Sequence, residues 1–318
     1  MNASYDLSSV YRRIQPLIRR TPILESDVLN ERIGGELFFK CENVQHIGAF
    51  KFRGACAALS NIADEKIKNG VVTHSSGNHG QALAKAARMF GVPAYIVMPE
   101  NAPLIKIEGV KRHHGEVYLC APTLQAREQM ASKIMEEKGA TFIHPSNDVD
   151  VIRGQATVSM EFLEQVPELD RLICPVGGGG LLAGTCLGAH EFGKDVFVYA
   201  GEPRAADDAW RSLRSGQIEF NDSPKTIADG LKTNLGSNNF PIIKKHVKGI
   251  IRVDEREILE AMELIWNELK IIVEPSSAVA LAAVIKEAET FKMGKTGVIL
   301  TGGNVNLEDF FLVLQEKI

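Results

Sequence analysis

The sequence predicts an α/β fold built on parallel sheet, and three observations carry that expectation. Strand-like runs and helix-period segments alternate from Gly70 onward, an order that sets successive strands side by side with helices packed across them. Small polar or glycine-rich turns follow several of those strands, at 75–80, 177–180 and 301–304, where a parallel sheet presents its binding residues. The 318 residues give room for two domains, yet no low-complexity linker or internal repeat divides them. Two lobes would then share the chain by insertion, crossing near Lys68 and Ser146, where surface-type residues separate the periodic segments. The expected division is 1–68 with 148–318 as a large domain and 69–147 as a small domain inserted in it.

In chain order, a first helix is expected over 8–17, ending in Arg19-Arg20-Thr21-Pro22, and 36–41 (Glu-Leu-Phe-Phe-Lys-Cys) is a short strand leading to Lys51. Residues 70–74 form a strand, 75–80 a polar turn, and the alanine-rich 81–90 a helix. The unit repeats as strand 94–98, helix 102–111, strand 116–120, helix 123–137 and strand 141–144. A longer helix over 151–165 precedes the apolar strand 172–176, four consecutive glycines and another helix from Leu181. Further strands are expected at 196–201, 249–253 and 297–301, and Asp254 with Glu257 forms a capping box opening a helix to Leu269.

A hydrophobic content of 45% is that of an ordinary globular chain, and the formal net charge of -4 gives no basic footprint for nucleic acid and no polybasic membrane patch. Small molecules are the expected partners. The five cysteines, Cys41, Cys56, Cys120, Cys174 and Cys186, are scattered without a CxxC pair and read as buried thiols of a reducing compartment. Residues 1–9 lack the apolar core of a signal peptide and no uncharged run approaches the length of a membrane span, so a soluble, cytoplasmic protein is expected.

The chemistry centres on Lys51. Read as a helix, Ala55, Ala58, Leu59 and Ile62 form a core-facing stripe, and Lys51 lies one turn earlier on the same face. Desolvation lowers the pKa of such an amine, and the neutral amine is the form that condenses with a carbonyl; the alternative is that Lys51 snorkels to solvent over its own stem. Gly177 to Gly180, between a buried strand and a helix, expose N–H groups at a helix N-terminus, a phosphate site by geometry and dipole together. The run matches neither a dinucleotide fingerprint nor a P-loop, and a flexible turn is its bland reading. Ser75-Ser76-Gly77-Asn78-His79 could bind a carboxylate through N–H groups while Asn78 bonds a phenolic oxygen, or could be a helix cap. Thr301 places a hydroxyl at a sheet edge, and Glu274-Pro275 opens an apolar helix as a cap or as part of a site.

A Schiff-base lysine, a phosphate cradle without a nucleotide motif and hydroxyls at strand ends point to pyridoxal phosphate. With the stretches 42–54, 75–79, 176–180, 226–230 (Thr-Ile-Ala-Asp-Gly), 273–275 and 302–304 in this order, the chain resembles the fold type II pyridoxal-phosphate enzymes. The likeness is strongest to the eukaryotic-type serine racemases among the serine/threonine dehydratases. It implies the tryptophan synthase β-like architecture, two open, mostly parallel twisted sheets flanked by helices, with the active site between a large and a small domain. It also implies a cytoplasmic homodimer that racemises serine and eliminates water from it.

Residue by residue, the resemblance implies that Lys51 carries the cofactor as a Schiff base, that Gly177, Gly178, Gly179, Gly180 and the Leu181 backbone hold its phosphate, and that Phe50 packs against its ring. Asn78 would bond the 3'-oxygen, Glu274 would lie in the cofactor site, and Thr301 stands where the family usually has serine opposite the pyridine nitrogen. A neutral hydroxyl there leaves more carbanion character on Cα than a carboxylate would, which suits elimination and proton exchange. Ser75 to His79 would hold the substrate, with Ser76 as the second catalytic group across from Lys51. Glu202, the Ala206 carbonyl and Asp208 match a divalent-cation site of hard oxygen ligands suited to Mg2+ or Ca2+; their other reading is an acidic helix start. His46 and Leu119 stand in place of a lysine and a tyrosine of the animal racemases' nucleotide site, which leaves ATP activation open. Ser146 replaces an asparagine or aromatic residue near the cofactor, and related aspartate racemases carry extra serines in that region. The readings left open are a dehydratase with little racemase activity, an enzyme acting on aspartate or 3-hydroxyaspartate, and a non-catalytic phosphometabolite-binding protein.

Overall fold

The structure, a computed structural model, describes residues 5–75, 77–102, 104–306, 308, 310 and 311. Its strands are β1 (Ile23–Leu24), β2 (Glu36–Cys41), β3 (Val71–His74), β4 (Ala94–Pro99), β5 (Glu116–Cys120), β6 (Thr141–Phe142), β7 (Arg171–Pro175), β8 (Phe197–Pro203), β9 (Val247–Val253) and β10 (Lys295–Leu300). They form a six-stranded sheet in the order β1-β2-β10-β7-β8-β9 and a four-stranded sheet in the order β5-β4-β3-β6. Every pairing is parallel except β1 with β2. The chain after β9 returns to the middle of the larger sheet, where β10 runs from Lys295 opposite Glu36 to Leu300 opposite Cys41.

Both faces of the large sheet are covered, and strand alternation sorts its residues into two cores. Phe38, Leu172, Cys174, Val198, Ala200 and Ile299 pack on one side with the helices Val149–Gln165 and Gly180–Phe192. Leu37, Phe39, Ile173, Val298 and Leu300 pack on the other, with the helices Glu255–Leu264 and Pro275–Lys286. The small sheet repeats the scheme: Val71, Ile96 and Met98 join the helices Lys51–Leu59 and Asn78–Phe90, whereas Val72, Tyr95 and Val97 face Ala131 and Ile134 of the helix Leu124–Lys138. No helix of the described residues is long and apolar enough to cross a membrane.

Most expected elements stand within a few residues of their places, and the departures have local causes. The first helix is Leu7–Ile14 rather than 8–17; Pro16 has no N–H to continue it. Residues 143–144 leave the strand because the His144 ring turns the chain, its Nδ1 accepting the N–H groups of Ser146 and Asn147 at 3.1 and 2.9 Å. The Asp254–Glu257 capping box is present, but its helix stops at Leu264 and the turn Ile265–Leu269 is a π-helix, a bulge that the periodicity does not announce.

Candidate active site

Lys51 opens the helix Lys51–Leu59, whose stripe Ala55, Ala58 and Leu59 is buried; Ile62 lies beyond its end. The lysine does not snorkel to bulk solvent. It is half-buried in a cleft, its Nζ donating to the Pro145 carbonyl at 2.8 Å and lying 5.2 Å from the centroid of the Phe50 ring. Burial pulls its pKa down to about 8, against the opposing pull of the Glu274 carboxylate. At neutral pH a useful fraction of such an amine is the free nucleophile, which an exposed lysine is not.

The glycine run follows β7 and starts the helix Gly180–Phe192. Only Gly179, at φ +80°, needs the left-handed region; at Gly178 a side chain is excluded by crowding, since a Cβ would stand 2.5 Å from Ser146 Oγ. Asn239 Nδ2 holds the carbonyls of Gly178 and Ser146, at 2.8 and 3.1 Å. Among the described residues no acceptor is found for the N–H groups of Gly177 to Leu181. A helix start with unclaimed N–H groups and no side chains in the way is a cradle for a dianion.

Asn78 begins the helix Asn78–Phe90 on the small-sheet side and reaches across to the large-sheet side. Its Nδ2 donates to Glu274 Oε1 and Oε2 at 2.9 and 3.2 Å, while its Oδ1 accepts from Asn304 Nδ2 at 2.8 Å. An acceptor on one side and a donor on the other fix the orientation of the carboxamide. Glu274 caps the helix Pro275–Lys286 without a side-chain capping bond; burial pushes its pKa up to about 7, against the pull of the Asn78 bond. Thr301 is buried one residue past β10, its N–H held by Ser277 Oγ at 2.8 Å. Ser75 Oγ accepts the Gly77 N–H at 3.3 Å, and Ser76 lies outside the described residues. His79 is buried beside Lys51 and His144, and burial drives its pKa well below the usual value, so its ring is neutral. His144 is lowered to about 4, first by burial and then by the charges of His74 and Lys51.

A model of the family described as pyridoxal-phosphate dependent enzyme matches residues 14–302. The chain belongs to that family. It is 47% identical to the serine racemase of Dictyostelium discoideum over 97% of each chain. It is also 47% identical to the beta-hydroxyaspartate dehydratase of Paracoccus denitrificans, over 95% of this chain and 96% of the other. The solved structure of maize serine racemase superposes with a TM-score of 0.94 at 41% identity, over 98% of this chain and 96% of that one.

The residues fit the cofactor on their own chemistry. A lysine amine lowered to about 8 at a helix start, a row of unclaimed N–H groups after β7 and a buried threonine after β10 are joined through the Lys51 bond to Pro145, Ser146 against Gly178 and the Phe50 bond to Thr301. The Pro145 carbonyl, His144, Asn239 and Asn304 were not foreseen as parts of it. The signal of three of them is tertiary, since each holds a partner distant in the sequence: Pro145 holds Lys51, Asn304 holds Asn78, and Asn239 holds Gly178.

Away from the cleft, Glu202 on β8 and Asp208 are both fully buried. Glu202 accepts the N–H groups of Ala209 and Trp210, both at 2.8 Å; Asp208 accepts the Leu235 N–H at 3.2 Å and Asn221 Nδ2 at 2.6 Å. Burial raises both carboxyls, Asp208 to about 7 and Glu202 well above its usual value, and the charge of Asp208 adds to the rise of Glu202. Among the described residues no group of three or more His, Cys, Asp or Glu could hold a metal, so a cation at Glu202 and Asp208 would need carbonyls and water to complete its shell.

Proposed function

We propose that this enzyme racemises serine and also eliminates water from it, giving pyruvate and ammonia. The observation that carries the reading is the Lys51 amine, lowered to about 8 and held in the cleft by the Pro145 carbonyl, in a chain matched over nearly its full length by a relative named serine racemase. A phosphometabolite-binding protein would have no use for such an amine.

Bound pyridoxal phosphate supplies an electron sink for the bond electrons released at the substrate Cα. Lys51 would bind the cofactor aldehyde, the N–H groups of Gly177, Gly178, Gly179, Gly180 and Leu181 would hold the phosphate, and Phe50, Asn78, Glu274 and Thr301 would hold the ring. The Lys51 amine would remove and return the substrate Cα proton on one face. Ser76 delivers a proton to the other face, and Ser75, Gly77, Asn78 and His79 hold the substrate carboxylate. A serine hydroxyl is a weak base, so its activation depends on neighbouring donors and on exclusion of water.

Glu202, Asp208 and the Ala206 carbonyl are proposed to hold Mg2+ or Ca2+. Two buried carboxyls, both raised by desolvation and Glu202 further by the charge of Asp208, are what a cation would relieve. The proposed working form is a cytoplasmic homodimer, with 1–68 and 148–318 as the cofactor domain and 69–147 as the inserted lobe.

A second reading, dehydration of 3-hydroxyaspartate or racemisation of aspartate, is favoured by Ser146, whose small hydroxyl stands against Gly178 of the cradle, and by the Paracoccus relative's name. Product analysis on L- and D-serine, threonine, aspartate and 3-hydroxyaspartate separates the two. Conversion of L-serine to both D-serine and pyruvate supports the first; turnover confined to the acidic substrates overturns it.

A further inference from the structure

Two residues past Lys51, Arg53 is the hub of a buried charge network that the chemistry above does not use. Its Nε and Nη2 donate to the two oxygens of Glu42, each at 2.8 Å, and its Nη1 and Nη2 to the two oxygens of Glu161, at 2.9 and 2.7 Å. Lys40 closes the set by donating to Glu161 Oε2 at 3.0 Å, to the Thr21 carbonyl at 2.9 Å and to Gln165 Oε1 at 2.6 Å. Tyr11 and Thr21 hydroxyls occupy the remaining sites on Glu161 and Glu42, at 3.1 and 2.6 Å. All four charged side chains are fully buried, the two cations balance the two anions, and none of their polar atoms is left without a partner.

Stability does not explain such a network. Burying ions costs several kcal/mol each, and an apolar set of the same shape is often as stable or more so. Charges supply direction instead, because a guanidinium that forks onto two carboxylates admits one placement. That placement is transmitted to Lys51. In a helix, residues two apart lie on roughly opposite sides, so Arg53 grips the protein behind the helix while Lys51 faces the cleft. The helix Lys51–Leu59 has no side-chain cap. Instead, Ala49 bridges Gly302 and the Phe50 N–H donates to the Thr301 carbonyl at 3.0 Å, which fixes the chain just before Lys51. Arg53 fixes it just after. Gly54 and Gly154 let the two helices approach until a Cβ on Gly154 would stand 2.6 Å from the Gly54 Cα, which brings Arg53 to Glu161.

We propose that Arg53 is a positioning residue for Lys51: by gripping Glu42 and Glu161 it sets the first turn of the helix, and with it the placement of the Lys51 amine against the Pro145 carbonyl and the glycine loop. The inference rests on Lys51 being the cofactor lysine. The groups that face the amine from other elements are Glu274, His79 and His144, and none of them touches the network.

The test uses Arg53→Lys, which keeps the charge and loses the fork, with Arg20→Ala as a control that removes the exposed Arg20–Glu164 pair on the same helix as Glu161. Two readouts are taken besides turnover: the cofactor dissociation constant, and the pH midpoint at which Lys51 of the cofactor-free protein reacts with an amine-directed reagent, mapped by mass spectrometry. Arg53→Lys should weaken cofactor binding about tenfold or more, as loss of an orienting partner does at other sites. It should also raise the midpoint by about one unit as the amine leaves its desolvated seat. Arg20→Ala should change neither. A lowered melting temperature with both readouts as in the wild type would reduce Arg53 to a structural role and overturn the proposal. If Arg53→Lys does not fold, Glu42→Gln decides, since it keeps the shape and the Glu161 fork; the same two shifts, smaller, support the proposal and wild-type values overturn it. Borohydride labelling of the wild-type holoenzyme separates the premises, because a pyridoxyl label elsewhere than Lys51 refutes the cofactor lysine rather than the role of Arg53.

Discussion

Replacing Lys51 by methionine should stabilise the cofactor-free protein at neutral pH, and the gain should disappear in alkali. The folded amine titrates near 8 where an ordinary lysine titrates at 10.5, because desolvation outweighs the attraction of Glu274. A gap of about 2.5 units corresponds to ~3 kcal/mol at 1.36 kcal/mol per unit, and the water that reaches the half-open cleft reduces this to ~2 kcal/mol. Between pH 8 and 10.5 the unfolded chain holds the lysine proton and the folded one does not, so wild-type stability rises with pH across that window. The burden is complete below the folded pKa and gone above the unfolded one. Methionine has about the same stem and no charge, although it forfeits the bond to the Pro145 carbonyl, ~1 kcal/mol. Urea unfolding of both proteins at several pH values between 7 and 10.5 measures the difference. Groups elsewhere that ionise in that range do so in both proteins and cancel. A difference that stays constant with pH would show that Lys51 is not desolvated and would remove the physical basis for its reactivity.

Ser76→Ala should retain elimination from L-serine and lose both racemisation and elimination from D-serine, read by deuterium exchange at Cα of each enantiomer; equal loss for the two would reduce Ser76 to carboxylate binding. Chelation should lower the melting temperature, with Mg2+ or Ca2+ restoring it. The effect should be larger at pH 8 than at pH 6, because Asp208 titrates near 7 and protons compete with the cation; an unchanged melting temperature in excess EDTA, with no metal bound, would refute the site. Gly177→Ala puts a Cβ 2.7 Å from the Leu231 Cα and should weaken cofactor binding by displacing the phosphate loop, measured by absorbance titration of the cofactor-free protein; wild-type affinity would mean that the loop does not hold the phosphate.

What the sequence determined by itself is what repeats locally or sits in contiguous motifs. The strand and helix alternation, the capping box at Asp254 and Glu257, and the glycine run between a strand and a helix are set by neighbouring residues, so they can be read without coordinates. The setting of Lys51 at a helix start was legible for the same reason, because the stripe that buries it begins one turn further along. The partners of these groups were not. Lys51 finds a carbonyl 94 residues away, Asn78 a carboxylate 196 residues away and Arg53 a carboxylate 108 residues away. Periodicity places a residue on a face and does not say what that face meets. Only when the two sheets and their helices close up does burial lower the amine of Lys51, orient the amide of Asn78 and make the charges around Arg53 seek one another, since each effect depends on exclusion of water by segments distant in the chain.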